Sequence, residues 1–267
     1  MDILKYNREA WNRRVTANNP WTVPVSAEVI EKAKQGDWQI VLTPTLPVPR
    51  EWFPEIVGCK VLCLASGGGQ QGPILAAAGA EVTVFDNSPR QLDQDRMVAK
   101  RDKLEIRTVQ GDMADLSTFA TDSFDLIFHP VSNSYVPDVN PVWKGAYRVL
   151  RDGGALLAGF SNPIRYAFDW ELAERTGELR VKYKLPYADI EDLDEQAKAD
   201  CIAQGEPMEF SHSLDDQIGG QLAAGFALIG FYEDASGEDS DDPVSKYMPD
   251  FIATRAFKTS SHSLKPQ

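Results

Sequence analysis

The run VLCLASGGG from Val61 to Gly69 constrains this chain more than any other segment. Apolar residues typical of a buried strand lead into Gly67-Gly68-Gly69, and a helix-compatible stretch follows with Pro73 suited to its first turn. Next comes an apolar segment from Glu81 that ends on an acid, Asp86. Strand, glycine turn, helix and acid-tipped strand together predict a βαβ unit. The glycines let backbone approach a ligand with no Cβ in the way, and free amides at the helix start favour an anionic group. A carboxylate at the tip of the second strand can accept hydrogen bonds from both hydroxyls of a ribose. The unit therefore predicts a nucleoside-bearing cofactor.

The alternation continues beyond it. Strand patterns at Lys60 to Leu64, Glu81 to Asp86, Glu105 to Gln110, Phe124 to His129 and Ala155 to Phe160 are separated by helical patterns at Pro73 to Ala78, Pro89 to Arg101 and Pro141 to Leu150. Asp152, Gly153 and Gly154 are expected to stop the last of these helices. A helix over Leu214 to Ala224 and strands at Phe226 to Tyr232 and Phe251 to Phe257 follow, the final strand returning antiparallel. The fold class is α/β: a doubly wound, mostly parallel seven-stranded sheet with an antiparallel last strand. Residues 1–54 are expected to form an N-terminal helical cap, its second helix capped by Ser26, and a proline-rich connector. Residues 55–258 form the cofactor-binding domain, with a lid inserted at about 162–211 that carries Tyr166, Trp170, Tyr183 and Tyr187. The acidic stretch Glu233 to Asp242 is expected to be a solvated loop, and residues 259–267 a frayed polar tail.

Forty acidic against 27 basic residues give a formal charge of -13, so nucleic acid and anionic membranes are not expected partners. Cys59, Cys63 and Cys201 make neither a disulfide framework nor a metal-ligand pattern, which fits inert thiols in a reducing compartment. The N-terminal MDILKYNREAWNRR has no apolar signal core. A cytoplasmic enzyme is expected.

Gly67, Gly69 and Gly72 also satisfy the GxGxxG dinucleotide fingerprint, so the glycine turn alone leaves the cofactor open. Further segments narrow it: CLASGGG at Cys63 to Gly69, VTVFDNSPRQL, VQGDMADL, SFDLIFHPVSN and YRVLRDGGALLAGF, in that order. With these, the chain resembles the class I S-adenosylmethionine-dependent methyltransferases over roughly Cys59 to Phe160, in particular the small-molecule enzymes related to ubiquinone and menaquinone biosynthesis. The resemblance implies S-adenosyl-L-methionine as cofactor and a small-molecule methyl acceptor. It also implies Asp86, with Asn87 beside it, at the ribose, Gly111 and Asp112 at the adenine edge with Met113 against the ring, and Gly67 and Gly69 at the methionine moiety. Ser66, Gln70 and Gln71 can add polar contacts there.

Two positions depart from the family pattern. Its usual strand acid is Cys63 here, and the first glycine of its turn is Ala65. His129 ends the fourth strand, where it is expected either to accept a proton from the nucleophile or to shape the pocket as a satisfied strand-end histidine. Ser132, Asn133 and Tyr135 follow in the same loop and can orient an acceptor or form a turn. Tyr6, Trp11, Arg13 and Arg14 are placed to join the lid. Two other readings stay open: a nicotinamide-dependent short-chain oxidoreductase, although no tyrosine here is followed four residues later by lysine, and a non-catalytic binder of S-adenosylmethionine.

Overall fold

Continuous apolar runs in the central strands require a sheet covered on both faces, and that is how the chain folds. The computed structural model describes residues 1–237 and 242–259. Helix α1 (Ile3–Thr16) is capped by Asp2, which accepts from the Lys5 amide at 3.0 Å. Helix α2 (Ala27–Lys34) is capped by Ser26 in the same way. Then follow β1 (Lys60–Leu64), α3 (Gln71–Ala77), β2 (Glu81–Asp86), α4 (Pro89–Asp102), β3 (Ile106–Gln110), β4 (Phe124–His129), α5 (Asn140–Val149) and β5 (Leu150–Ser161). Three short helices, α6 (Trp170–Thr176), α7 (Asp189–Asp192) and α8 (Glu195–Gln204), occupy the inserted stretch. The chain returns through α9 (Gly220–Ala224), β6 (Phe226–Asp234) and β7 (Phe251–Lys258).

The seven strands run in the order β3-β2-β1-β4-β5-β7-β6. Neighbours from β3 to β5 pair in parallel, and β7 lies antiparallel between β5 and β6. Reversal of strand order around β1 and β4 is the topological switch at which such sheets bind ligands, beyond the carboxyl ends of the strands. Val61 and Cys63 of β1 pack on one side with Ile30, Leu75, Leu92 and Val98 of the helices; Leu62 and Leu64 pack on the other with Val142, Trp143 and Ala146 of α5.

Local differences from the sequence pattern have clear causes. Helix α5 stops at Val149, before Asp152-Gly153-Gly154, because Leu150 already pairs with Phe124; those turn residues form an irregularity inside β5, where the register shifts. The patterned helix at 214–224 begins with a wider π turn, Asp215–Gly219, before α9. The proline-rich connector does more than link. Leu42 is buried, its carbonyl accepts from Val131 N at 3.1 Å, and it lies against Gly159 of β5 so closely that any side chain at 159 would strike it.

The acidic stretch is only partly a solvated loop, and its residues 238–241 lie outside the described residues, as does the tail from 260. Asp234 is buried and accepts from the Thr45 and Leu46 amides at 2.9 and 3.1 Å, which ties the connector to β6. Asp242 pairs with Arg165 at 3.3 Å. No helix among the described residues is long and apolar enough to cross a membrane.

Candidate active site

A cavity of about 340 Å³ opens at the carboxyl ends of β1 to β5. It falls in the size range of sites for nucleoside-sized ligands. Ser66, Gly67, Gln71, Asp86, Asn87, Gly111, Asp112 and Met113 all line it, so residues spread over about fifty positions of sequence meet on one wall.

Asp86 is fixed from two sides. Its Oδ2 accepts from Gly67 N at 3.0 Å and its Oδ1 from Ser88 N at 2.8 Å. Burial raises its carboxyl above the usual range, and the backbone amides of Ser88, Gly67 and Asn87 oppose that shift by favouring the charged form. Each oxygen keeps a lone pair for a ligand hydroxyl. Asn87 is held by α1: its Nδ2 donates to the Leu4 carbonyl at 2.8 Å, and Arg8 donates to its Oδ1 at 2.9 Å. Asp112 caps its own turn, accepting from Ala114 N at 2.9 Å, while Met113 and Phe85 supply apolar wall. Ser66 donates to Gln71 Oε1 at 3.2 Å. A carboxylate pair flanked by apolar surface and a glycine turn fits an adenosyl group.

Ala65 stands where a glycine was expected, and its backbone shows why. Its φ is 47°, in the left-handed region that costs an L-residue about 1 kcal/mol. Ala65→Gly is therefore expected to leave stability unchanged or raise it by up to about 1 kcal/mol, as its looser unfolded chain offsets part of the relief. Urea denaturation checks this, and a loss above that size would show that the methyl packs usefully.

Two expected residues are placed elsewhere. Gly69 lies behind the wall, against Gln94 and Pro24, and its carbonyl accepts from Val25 N at 3.0 Å. His129 is fully buried and absent from the cavity wall. Its Nδ1 lies 2.9 Å from the Leu64 carbonyl and its Nε2 2.7 Å from the Asn133 amide, with the ring edge-on to Trp143. Both nitrogens thus serve the protein, and Asn133 continues the network to Gln217 at 2.8 Å. Burial lowers the His129 pKa from 6.5, and His212 is lowered for the same reason. At these two side chains the unfolded chain binds more protons than the native one below about pH 6.5, so the stability they contribute falls on acidification through that window. The stability difference between the wild type and a His129→Gln variant should shift in favour of the variant from about pH 7.5 to 5.5 in denaturant titrations; a difference that stays constant would show that His129 does not contribute to the acid sensitivity.

The far half of the cavity was only partly foreseen. Trp11, Arg14, Ser132, Tyr135 and Tyr166 do line it, whereas Trp170 and Tyr183 pack within the insertion and Tyr6 and Arg13 bond to its backbone. Not foreseen were Trp21, Val41 to Pro44, Arg165, Glu209 and Phe251. Gln70 reaches the Pro20 and Val23 carbonyls at 3.1 and 3.0 Å, wrapping the N-terminal segment over the glycine turn. Tyr166 donates to Glu209 Oε2 at 2.7 Å, and Arg165 is set by Asp250 at 2.7 Å. Only acids and aromatics in the insertion hinted at this polar end.

Helix α1 roofs the cavity. Asn7 is buried and clasps the insertion: Nδ2 donates to the Met208 and Tyr135 carbonyls at 3.0 and 3.1 Å, and Oδ1 accepts from Met208 N at 2.8 Å. Arg14 pairs with Glu206 beside it.

Known proteins are similar to this chain in sequence and in fold. A family model described as a methyltransferase domain matches residues 62–158. The Uncharacterized methyltransferase YbaJ of Bacillus subtilis (strain 168) is 54% identical over 256 residues, covering 96% of this chain and 98% of that protein. The Ubiquinone biosynthesis O-methyltransferase of Xanthomonas oryzae pv. oryzae (strain PXO99A) is 27% identical over 114 residues, covering 43% of this chain and 48% of that one. The fold is shared with an S-adenosylmethionine dependent methyltransferase from Mesorhizobium loti, at a TM-score of 0.61, 20% identity and coverage of 78% and 94%. Near-complete alignment to a methyltransferase, together with a seven-stranded sheet whose glycine turn and strand-end acids share one cavity, settles the kinship: this chain belongs to the class I S-adenosylmethionine-dependent methyltransferases.

Proposed function

We propose that this methyltransferase acts on a small-molecule acceptor in the cytoplasm, and that the cofactor lies along the wall from Ser66 to Met113. Asp86 would hold the ribose hydroxyls with Asn87 closing the edge, Gly111, Asp112 and Met113 would frame the adenine, and Ser66, Gly67 and Gln71 would meet the methionine end. The observation that carries this reading is the convergence of those residues on one roofed cavity. When bound, the cofactor supplies a methyl group on a sulfonium, a good leaving group that needs no obligatory protein base. The chain's task is then alignment and exclusion of water. Trp11, Tyr135, Tyr166 and Phe251 offer apolar surface to an acceptor, while Ser161, Arg165 and Glu209 offer polar contacts that fix its orientation. A cavity roofed by α1 and the insertion suits a small molecule better than a polymer.

Incubation with methyl-labelled S-adenosylmethionine and separated fractions of a cell extract tests the acceptor class. Label should move into low-mass metabolites. Label only in protein or nucleic acid would contradict the acceptor assignment, and cofactor binding with no transfer to any fraction would favour a non-catalytic binder.

A further inference from the structure

Asp95 on α4 is used by nothing described so far, yet it lies directly behind the cofactor wall. Its side chain is fully buried, its Oδ2 accepts from Gly68 N at 3.1 Å, and its Oδ1 has no hydrogen-bond partner. Gly67 N meanwhile donates to Asp86 at 3.0 Å. Two carboxyls therefore pin two successive amides of the glycine turn, one from β2 and one from α4. Cys63 of β1, standing where the family pattern places an acid, is close enough to Asp95 for the two to interact electrostatically.

We propose that Asp95 is a positioning residue for the cofactor: it holds the glycine turn in shape and, when ionised, places a negative charge behind the methionine end of S-adenosylmethionine. The inference rests on the cofactor assignment above. An uncompensated carboxylate in a dry site is costly, and the titratable groups facing this one make it costlier. Asp86 on β2 is also acidic, Cys63 on β1 is a thiol that burial keeps protonated, and Gly72 of α3, which carries no side chain, lies against the Asp95 carboxyl. The strongest influences on it include no cation. Burial accordingly lifts the Asp95 carboxyl to about 8, against the pull of the Gly68 and Gly69 amides. The sulfonium and ammonium of S-adenosylmethionine would supply the missing positive charge, so cofactor binding and loss of the Asp95 proton favour each other.

Calorimetric titration with S-adenosylmethionine at about pH 6.5 and about pH 9, on the wild type and on D95N, tests this. The ratio of wild-type to D95N affinity is expected to rise about tenfold or more between the two conditions, because only the wild type gains the charge. A ratio that does not change with pH would reduce Asp95 to a structural residue and overturn the proposal. If D95N fails to fold, the wild type alone decides. Titrations at about pH 7.5 in buffers of different ionisation enthalpy should show net proton release on binding, and none, or uptake, would overturn it. A wild type that binds no S-adenosylmethionine would instead sink the cofactor assignment. Asp95 is then judged by melting, where the advantage of the wild type over D95N must shrink as pH rises from about 6 to about 9, since a raised carboxyl loses its stabilising contribution through that range. A constant difference would overturn the proposal.

Discussion

Replacing Asp86 with alanine is expected to weaken S-adenosylmethionine binding by at least tenfold. A carboxylate accepting from two ribose hydroxyls makes charge-assisted hydrogen bonds, whose loss costs about 1.5 to 3 kcal/mol, and about 1.4 kcal/mol is a factor of ten. The substitution also strips partners from Gly67 N and Ser88 N. Both the turn and the start of α4 then loosen, so stability has to be measured beside affinity. Asp86→Asn separates the effects: its amide oxygen can still accept one of these backbone bonds, while the charge is gone. If both variants bind the cofactor as the wild type does, Asp86 does not touch the ribose.

The second large effect is expected at Asn7, far from the glycine turn in sequence. Asn7→Ala removes three hydrogen bonds and leaves the Met208 N–H, the Met208 carbonyl and the Tyr135 carbonyl without that partner. Buried groups left unpaired cost about 1 to 3 kcal/mol each, though water entering behind the shortened side chain recovers part of this. A net loss of about 2 to 4 kcal/mol in urea denaturation is therefore expected. Because Asn87 also bonds to α1 through Leu4 and Arg8, loosening the helix should speed cofactor release as well. A loss below about 1 kcal/mol would mean that α1 is held mainly by its other contacts, such as Arg14 with Glu206 and Trp11 against Tyr135.

What could be read in the sequence was whatever is written in short range. The strand from Lys60 to Leu64, the glycine turn and Asp86 lie within one supersecondary unit, so spacing alone places the acid beside the turn. Asp112 and Met113 follow the third strand by the same logic. His129 illustrates the limit. Its position at the end of β4 was legible, but which way its ring points depends on Trp143, Asn133 and Gln217, which belong to three other elements. The far wall was least legible, because Pro44, Arg165, Glu209 and Phe251 come from a connector, an insertion and a late strand. In sequence Asp95 is one more charge in a polar helical stretch, and only the passage of α4 beneath the glycine turn buries it.

The most direct test is the crystal structure of the complex with S-adenosylhomocysteine. Both ribose hydroxyls are expected within hydrogen-bond distance of Asp86, the adenine between Asp112 and Met113, and the amino acid end at Ser66 and Gly67. A nucleoside bound away from Asp86, or an adenine seated in the far half against Arg165 and Glu209, would contradict this placement.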